Sequence, residues 1–142
     1  AIFPVESEEN YSWFFQQVKR SQNMEQALDN KDAVFVSDRD KGLGAALLAE
    51  FPQAAHIKCL RHLKQNVKGG ARKKGAAKIP ALTMDDEVRV IKLGKAQSPL
   101  EFNTIMAELQ HTNLAAAKYL ADSEPRRWAL YLLDAADVVF WG

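Results

Sequence analysis

The chain has 142 residues, of which 47% are hydrophobic and 26% are charged, a composition that is ordinary for one folded domain. Its net charge is only +1, no apolar run reaches the roughly 18 residues that a membrane-spanning helix needs, and the first residues lack the basic-then-apolar pattern of a secretory signal. These features argue against a membrane protein and predict a soluble intracellular one, in agreement with a single cysteine that cannot form an internal disulfide.

The first third of the sequence predicts a strand, a helix and a second strand. Residues 2–6 fit a short strand at a sheet edge, because Pro4 has no amide hydrogen to donate. Residues 11–28 predict an amphipathic helix that packs on a sheet. Its apolar face consists of Tyr11, Phe14, Phe15 and Val18. Residues 33–37 follow as a continuous apolar run, which is typical of a strand buried on both faces.

A second helix and a third strand complete an alternating pattern. Residues 42–51 carry apolar side chains at helical spacing and are followed by Pro52, which cannot continue a helix. Those apolar side chains are Leu43, Leu47, Leu48 and Phe51. Residues 55–58 then predict a short strand. The predicted order is β-α-β-α-β, and the predicted fold class of this part is α/β.

The middle of the sequence is strongly basic. Residues 60–67 predict a helix that a glycine pair ends, and a loop rich in lysine and arginine follows. Residues 57–95 carry 11 basic and 3 acidic side chains, whereas residues 1–56 carry 5 and 9, and residues 96–142 carry 3 and 6. A basic block of this kind is either a solvated linker or a surface that contacts phosphate groups, and charge alone leaves both open.

Beyond Pro80 the sequence predicts helices only. Two of them are marked by apolar side chains at helical spacing: Met84, Val88 and Ile91 in one, and Phe102, Ile105, Met106 and Leu109 in the other. Ser98 and Glu101 form the pattern of a capping box at the start of the second, with each side chain expected to bond the other's backbone amide. Two further helices are predicted at residues 114–121 and 125–138.

Asp38 is the first candidate for chemistry. It follows the apolar run of residues 33–37, and a carboxylate at the carboxyl end of a buried parallel strand is well placed to hold a divalent metal ion. The alternative is that Asp38 or Asp40 caps a helix or forms a turn, since aspartate is favoured at both places. Position alone leaves both interpretations open.

His56, Cys59 and His62 recur at three-residue spacing, which resembles half of a zinc site. A nucleophile pair of Cys59 and His62 and simple burial of Cys59 are the alternatives. A nucleotide-binding loop has no support, because the glycines lack phosphate-binding spacing.

Two segments carry a resemblance to a known family, and the second of them is the specific one. The first is VESEENYSWFFQQVK. The second is AVFVSDRDKGLGAALLAEFPQAAHIKCLRHLKQN, in which a strand ending in Ser-Asp is followed by a helix ending in Phe-Pro and by His-x-x-Cys-x-x-His with a later Asn. This order resembles the transposase domain of Mutator-like elements (MULE). A looser similarity continues around FNTIMAEL and RRWALYLL.

The resemblance implies an RNase H-like fold. Residues 1–68 would form a partial core of this fold, with residues 33–37 and 55–58 as neighbouring parallel strands, and residues 69–142 would form a basic linker and an all-helical insertion region. In the family three acidic residues hold two divalent ions, Mg²⁺ or Mn²⁺, for DNA strand cleavage and strand transfer. Asp38 matches the second acid and is the predicted catalytic metal ligand, whereas Asp40 is expected to be a helix cap.

The other two acids of the family are expected to lie outside this sequence. The first belongs to an earlier strand, and the last follows the helical insertion in an Asn-rich motif beyond Gly142. The sequence begins without methionine and stops directly after an apolar run, so both ends are expected to be cuts. Glu101, Glu108 and Glu124 do not stand in the expected motif and are not predicted to replace the last acid.

The resemblance also gives roles to residues after Asp38. Cys59 and His62 match the family's C-x-x-H signature and are expected to position the junction between core and insertion. The basic charge of the middle segment, rather than a family motif, predicts nucleic-acid contacts for five residues: Lys64, Lys68, Arg72, Lys73 and Lys74. The expected partner is DNA, and the expected location is the nucleus if the host is a eukaryote.

The leading hypothesis is a fragment of a cut-and-paste DNA transposase. The alternatives are a transposase-derived, non-catalytic protein that binds DNA or regulates transcription, and a helical interaction domain whose basic middle is only solvated. Without the family's first two strands, main-chain groups of residues 34–36 would lose hydrogen-bond partners. The chain is then expected to be marginally stable, and either to self-associate through this edge as a homo-oligomer or to close the gap by non-native pairing.

Overall fold

The structure, a computed structural model, describes residues 5–21, 24–38, 40–68 and 78–133. It divides into two compact units, whose described residues lie between 5 and 58 in the first and between 59 and 133 in the second. We refer to them as the α/β unit and the helical unit. None of the helices in the described ranges has the length and apolarity to cross a membrane.

The α/β unit contains three helices and two parallel strands among its described residues. They are α1 (Glu8–Arg20), α2 (Met24–Leu28), β1 (Val34–Ser37), α3 (Lys41–Glu50) and β2 (Ala55–Lys58). The strands pair in parallel, from Val34 opposite Ala55 to Ser37 opposite Lys58. The mixed α/β character and the parallel pairing predicted from the sequence are therefore confirmed.

Aromatic side chains form the core of the α/β unit. The ring of Phe15 in α1 lies 5.4 Å from that of Phe51 after α3, and Phe35 of β1 stacks on Phe51 at 5.0 Å between ring centroids. Ala46 and Leu47 of α3 are buried in the same cluster. Helices α1 and α3 therefore cover the face of the sheet that carries Phe35.

The other face of β1 is more open than the sequence predicts. No residue of β1 is fully buried, and Val36 is 61% exposed. The prediction of burial on both faces is wrong because, among the described residues, the helices pack on the Phe35 face only. The second strand, β2, in which Ile57 and Lys58 are buried, is the more enclosed of the two.

Three further local predictions for this unit have different outcomes. The predicted helix over residues 11–28 is interrupted, because Ser21 adopts an extended backbone with ψ 118° and α2 begins only at Met24. Leu48 lies on the exposed side of α3, unlike the other apolar residues predicted for that helix. The predicted edge strand at residues 2–6 falls mainly on residues outside the described ranges, and its last two residues are not in a strand.

The helical unit contains four α-helices and two short 3-10 turns in its described part. The helices are α4 (Leu60–Lys68), α5 (Met84–Lys95), α6 (Pro99–Thr112) and α7 (Leu114–Ala121), and the turns are Pro125–Arg127 and Leu130–Leu132. All four helices are predicted by the sequence. The predicted basic loop, residues 69–78, lies outside the described residues except for Lys78.

A large apolar cluster holds these helices together. Its members with no exposed surface include Leu63, Val67, Val90, Leu93, Leu109 and Leu120. Helices α4 and α5 approach closely at Gly94, where a Cβ atom would overlap the side chain of Leu60. A larger residue at this position would require the Leu60 side chain to move.

The buried face of α5 is displaced from the predicted one. Met84 is 86% exposed, and Val88 is also exposed, whereas Val90 and Leu93 are buried. Asp86 shares the buried face because it belongs to a capping box with Thr83, a signal that the sequence prediction missed. Both the Thr83 hydroxyl and the Asp86 carboxylate accept a hydrogen bond from the backbone amide of the other residue.

The start of α6 is predicted almost correctly. The Ser98 hydroxyl accepts a hydrogen bond from the Glu101 amide at 3.2 Å, as expected of the cap. The Glu101 carboxylate, however, accepts from the Gln97 amide at 2.9 Å and not from the Ser98 amide. The bond from Glu101 back to the chain is thus made, but its donor is the Gln97 amide, one residue before the predicted donor Ser98.

The last predicted helix, at residues 125–138, is not an α-helix up to residue 133. Two 3-10 turns take its place, because Glu124 adopts a left-handed backbone with φ 60° and Ala129 is extended. Buried Trp128 anchors this segment, since its indole N–H donates to the Ser123 hydroxyl at 3.0 Å. The remaining residues of the predicted helix lie outside the described part.

Candidate functional site

Asp38 lies directly after β1, at the carboxyl end of the parallel strands. Its side chain is exposed, and its Oδ1 atom accepts a hydrogen bond from the Asp40 amide at 3.0 Å. This bond holds one carboxylate oxygen in the turn that leads into α3. Since α/β sheets bind ligands outside the carboxyl ends of their strands, Asp38 is at the edge where chemistry is expected.

Asp40 has the capping role predicted for it. Its Oδ1 atom accepts a hydrogen bond from the Leu43 amide at 2.8 Å, at the amino end of α3. In the first turn of that helix, a Cβ atom on Gly42 would come within 2.8 Å of the Glu8 nitrogen. The amino ends of α1 and α3 therefore meet beside the turn that carries Asp38, and glycine is required for this approach.

A cross-strand contact fixes the end of β1. The Ser37 hydroxyl lies 2.6 Å from His56 Nε2 of β2 and 3.0 Å from the Asp38 carbonyl oxygen. A hydroxyl has only one proton. When Ser37 donates it to the Asp38 carbonyl oxygen, the Ser37 oxygen must accept a hydrogen bond from His56, which then carries a hydrogen on Nε2. The arrangement ties the residue before Asp38 to the neighbouring strand.

Tyr11 of α1 lies near the same acidic side chains. Partial burial is the main cause that raises the pKa of Tyr11, and the negative charges of Glu6, Asp40 and Asp38 raise it further. The phenol is therefore protonated at neutral pH. The carboxylates of Glu6, Asp38 and Asp40 thus all lie within electrostatic reach of this phenol.

The cysteine and histidine candidates do not assemble a metal site in the part of the chain that is described. Cys59 is half-buried and has a free thiol, and its backbone carbonyl oxygen accepts a hydrogen bond from the Leu63 amide at the start of α4. His62 is exposed on that helix. Across the described ranges, no three His, Cys, Asp or Glu side chains are grouped so that they could hold a metal ion. The zinc alternative gains no support from this geometry.

Two of the five basic residues predicted to contact nucleic acid are described, and both are ion-paired. Lys68 Nζ lies 2.7 Å from Glu87 Oε1, and Lys64 Nζ lies 3.6 Å from Glu87 Oε2. The other three residues, Arg72, Lys73 and Lys74, lie outside the described part of the chain. A carboxylate from α5 thus faces the basic helix α4.

Comparison with known protein families identifies the segment that carries Asp38. Residues 1–66 match the MULE transposase domain. This match includes both strands, the Asp38 turn and most of α4, so the resemblance drawn from the sequence is confirmed over these residues. No curated protein and no solved structure has a significant match to the chain.

Two contacts around the MULE segment were not predicted from the sequence. The Ser37–His56 contact follows from strand register, because His56 stands opposite Phe35 and Ser37 is two residues further on the same face. The Glu87 contact has a weaker signal, an acidic first turn of α5 within an otherwise basic block. To predict either contact, one would need to know which strands or helices lie side by side, as well as where each begins and ends.

Proposed function

We propose that this chain is part of a Mutator-like DNA transposase, in whose intact form DNA strands are cut and transferred with Mg²⁺ or Mn²⁺. The observation that carries the proposal is the MULE match over residues 1–66, within which Asp38 stands at the carboxyl end of a parallel strand. On this proposal, residues 1–68 are a piece of an RNase H-like core. Residues 69–142 are then the basic linker and the helical insertion.

Asp38 is the residue that we assign to metal binding. A two-metal strand-transfer reaction needs carboxylates held on rigid strand or helix ends. Asp38 meets this need, because it follows a paired strand and the Asp40 amide holds one of its oxygens. Within the described ranges no group of three or more His, Cys, Asp or Glu side chains could hold a metal ion, so the metal centre that we propose draws on residues beyond these ranges. One carboxylate leaves Mg²⁺ with most of its water ligands, and binding to this chain is expected to be weak.

A titration with Mn²⁺, followed by paramagnetic broadening in NMR spectra, tests the assignment of Asp38. We expect broadening centred on the turn between β1 and α3, with a dissociation constant above about a millimolar, and its loss in Asp38→Ala. Asp32→Ala removes another exposed acid of the same unit and should leave the broadening unchanged. Binding of millimolar strength or tighter that survives Asp38→Ala would contradict the assignment.

The proposed partner is DNA, contacted without sequence preference by the basic middle of the chain. Residues 57–95 carry 11 basic and 3 acidic side chains, and phosphate contacts release counterions, so affinity must fall as salt rises. Titration of a fluorescent DNA duplex at low and moderate salt measures this. Absence of binding at low salt, or binding that ignores salt, would reduce the basic middle to a solvated linker.

A second candidate uses the same surfaces without catalysis, as a transposase-derived protein that binds DNA or regulates transcription. Its support is the same MULE match together with the strongly basic middle of the chain, both of which a non-catalytic descendant would keep. A strand-transfer assay of the intact protein separates the two functions. Asp38→Asn abolishes transfer in the first case, whereas the wild type already lacks transfer in the second. The nucleus of a eukaryotic host is the proposed location for both.

A further inference from the structure

Helix α4 has two stripes with different roles in the helical unit. Leu63 and Val67 are fully buried in its apolar core. A basic stripe runs beside this buried face, because Lys64 and Lys68 directly follow the two buried residues. Together with Arg61 they occupy positions i, i+3 and i+7, which lie on one side of a helix. The helix contains no acidic residue of its own, so any charge compensation for this stripe must come from elsewhere.

Glu87 of α5 supplies that compensation. Its two carboxylate oxygens are divided between the lysines, with Lys68 Nζ at 2.7 Å from Oε1 and Lys64 Nζ at 3.6 Å from Oε2. The hydrogen bond from Lys68 is the main cause that lowers the pKa of Glu87, partial burial opposes it, and the charges of Lys68 and Lys64 lower it further. Glu87 is therefore ionised at neutral pH and neutralises part of the basic stripe.

A DNA phosphate would need the same two ammonium groups. Both a carboxylate and a phosphate offer oxygen atoms that accept charge-assisted hydrogen bonds from lysine. The Lys68 side chain is 61% exposed and is open to a ligand from solvent, while the Glu87 side chain is only 23% exposed. A phosphate that took both lysines would leave a partly buried carboxylate without its two cations, which is unfavourable.

We propose that Glu87 is an intramolecular competitor of DNA phosphate, which lowers the affinity of the α4 basic stripe for the nucleic-acid backbone. This inference rests on the proposed DNA contact and specifies its site and its regulation. Arg61, at the other end of the stripe, takes part in no ion pair with Glu87 and provides the first contact. The two lysines join only after they leave Glu87.

Fluorescence anisotropy with a random-sequence DNA duplex tests this proposal on the full chain. We expect Glu87→Gln to raise the affinity about tenfold at low salt and to steepen the log-log salt dependence by about 1 to 2, since each phosphate contact contributes about 0.9. The matched control is Asp85→Asn, the same charge change two residues earlier, on an exposed position of the same helical turn. It should change the affinity less than about twofold, as expected of net charge alone.

A triple variant identifies the groups responsible. Lys64→Gln and Lys68→Gln, added to Glu87→Gln, should return the affinity to the wild-type value or below it. Equal effects of Glu87→Gln and Asp85→Asn, or a gain that persists in the triple variant, would overturn the competition while the DNA contact itself stands. Absence of binding by the wild type and all variants at low salt would overturn the proposed DNA contact and the competition together. Far-UV circular dichroism confirms that each variant keeps its helices.

Discussion

The two units of this protein differ in how well their described residues are enclosed. In the helical unit fifteen buried side chains form one apolar cluster, whereas four form the cluster of the α/β unit. The residue proposed for metal chemistry, Asp38, stands on the less enclosed unit, after a strand covered by helices on one face. The segment with the family match is therefore not the segment that carries most of the buried core.

This division has a physical rationale. The helical unit is built from helices that are consecutive in the chain and pack mainly on sequence neighbours, so its stability depends little on distant segments. The strands of the α/β unit depend on lateral partners for their main-chain groups, and the described part supplies β1 with one partner, β2. The α/β unit is therefore expected to open at a lower free energy than the helical unit.

Removal of a core side chain from the helical unit should have the largest effect. Leu93 has no exposed surface, and Leu93→Ala leaves a cavity between packed helices that should cost about 2–5 kcal/mol of unfolding free energy. Leu100→Ala, at a 77% exposed position of α6, is the control and should cost less than about 0.5 kcal/mol. Urea unfolding followed by far-UV circular dichroism measures both. Similar costs for the two variants would show that the core does not carry the stability.

The buried carboxylate of Asp86 should make the helical unit sensitive to acid. Burial by itself raises the pKa of Asp86, but hydrogen bonds from Thr112 and Thr83 and the charge of Arg89 outweigh burial and lower it. The closest of these partners is the Thr112 hydroxyl, at 2.6 Å. Because the pKa is lower in the folded state, the stabilisation is complete above the unfolded value of about 3.9 and is lost as pH falls through the folded value.

Asp86→Asn tests this acid dependence. It should lower the unfolding free energy at pH 7 by about 1–3 kcal/mol, because a charged acceptor of several hydrogen bonds is replaced. The stability difference from the wild type should then shrink as pH falls below about 4. Urea unfolding at several pH values gives the comparison, with exposed Asp85→Asn as the control. A difference that stays constant down to pH 2 would contradict the assigned role.

In the α/β unit, two glycines of α3 should respond to alanine with opposite signs. A Cβ atom on Gly42 would lie 2.8 Å from the Glu8 nitrogen and 3.2 Å from the Ser7 carbonyl carbon, so Gly42→Ala should cost about 1–3 kcal/mol. On Gly44 the nearest atom would be His56 Cε1 at 3.5 Å, an ordinary contact, and the better helix propensity of alanine should add up to about 1 kcal/mol. Thermal unfolding of both variants measures the difference. A loss of stability in Gly44→Ala equal to that in Gly42→Ala would argue against the close approach of α1 and α3.

Local signals in the sequence predicted much of this fold. The sequence predicted α4, α6 and α7, with α6 marked by helical spacing, and the Ser98 cap is made as expected. The Asp40 cap is also made, although position alone left the roles of Asp38 and Asp40 open and only the family resemblance implied that Asp40 is the cap. Such features depend on neighbours within one or two helical turns, which a sequence displays directly.

The features that were missed depend on packing between distant residues. The buried face of α5 was misplaced because Met84 and Val88 are as apolar as Val90 and Leu93, and only the neighbouring helices decide which pair is enclosed. The predicted exposure of Lys64 and Lys68 to DNA took no account of Glu87, which is about twenty residues away and meets them only when α4 and α5 pack. The metal-binding and DNA-binding assignments stay predictions.

The smallest effect on stability, but a clear effect on association, is expected at Val36. The Ala33 carbonyl oxygen accepts a hydrogen bond from the Ala55 amide, so by strand alternation the main-chain groups of Val34 and Val36 point away from β2. Val36→Lys should therefore disperse self-associated chains, while it changes the unfolding free energy by less than about 0.5 kcal/mol. Leu48→Lys makes a similar exposed apolar residue of α3 charged and should not disperse them. Light scattering after size exclusion measures the mass, and a wild type that stays monomeric at high concentration would rule out association through β1.

Amide hydrogen exchange of the whole chain at single-residue resolution tests most directly the claim that Asp38 belongs to the less stable unit. We expect the amides of β1 to exchange at a distinctly lower opening free energy than those around Leu93 and Leu109 in the core of the helical unit. We also expect urea to lower the protection of the α/β unit first. Equal protection of β1 and the helical core, lost together in one cooperative monomeric transition, would contradict the account.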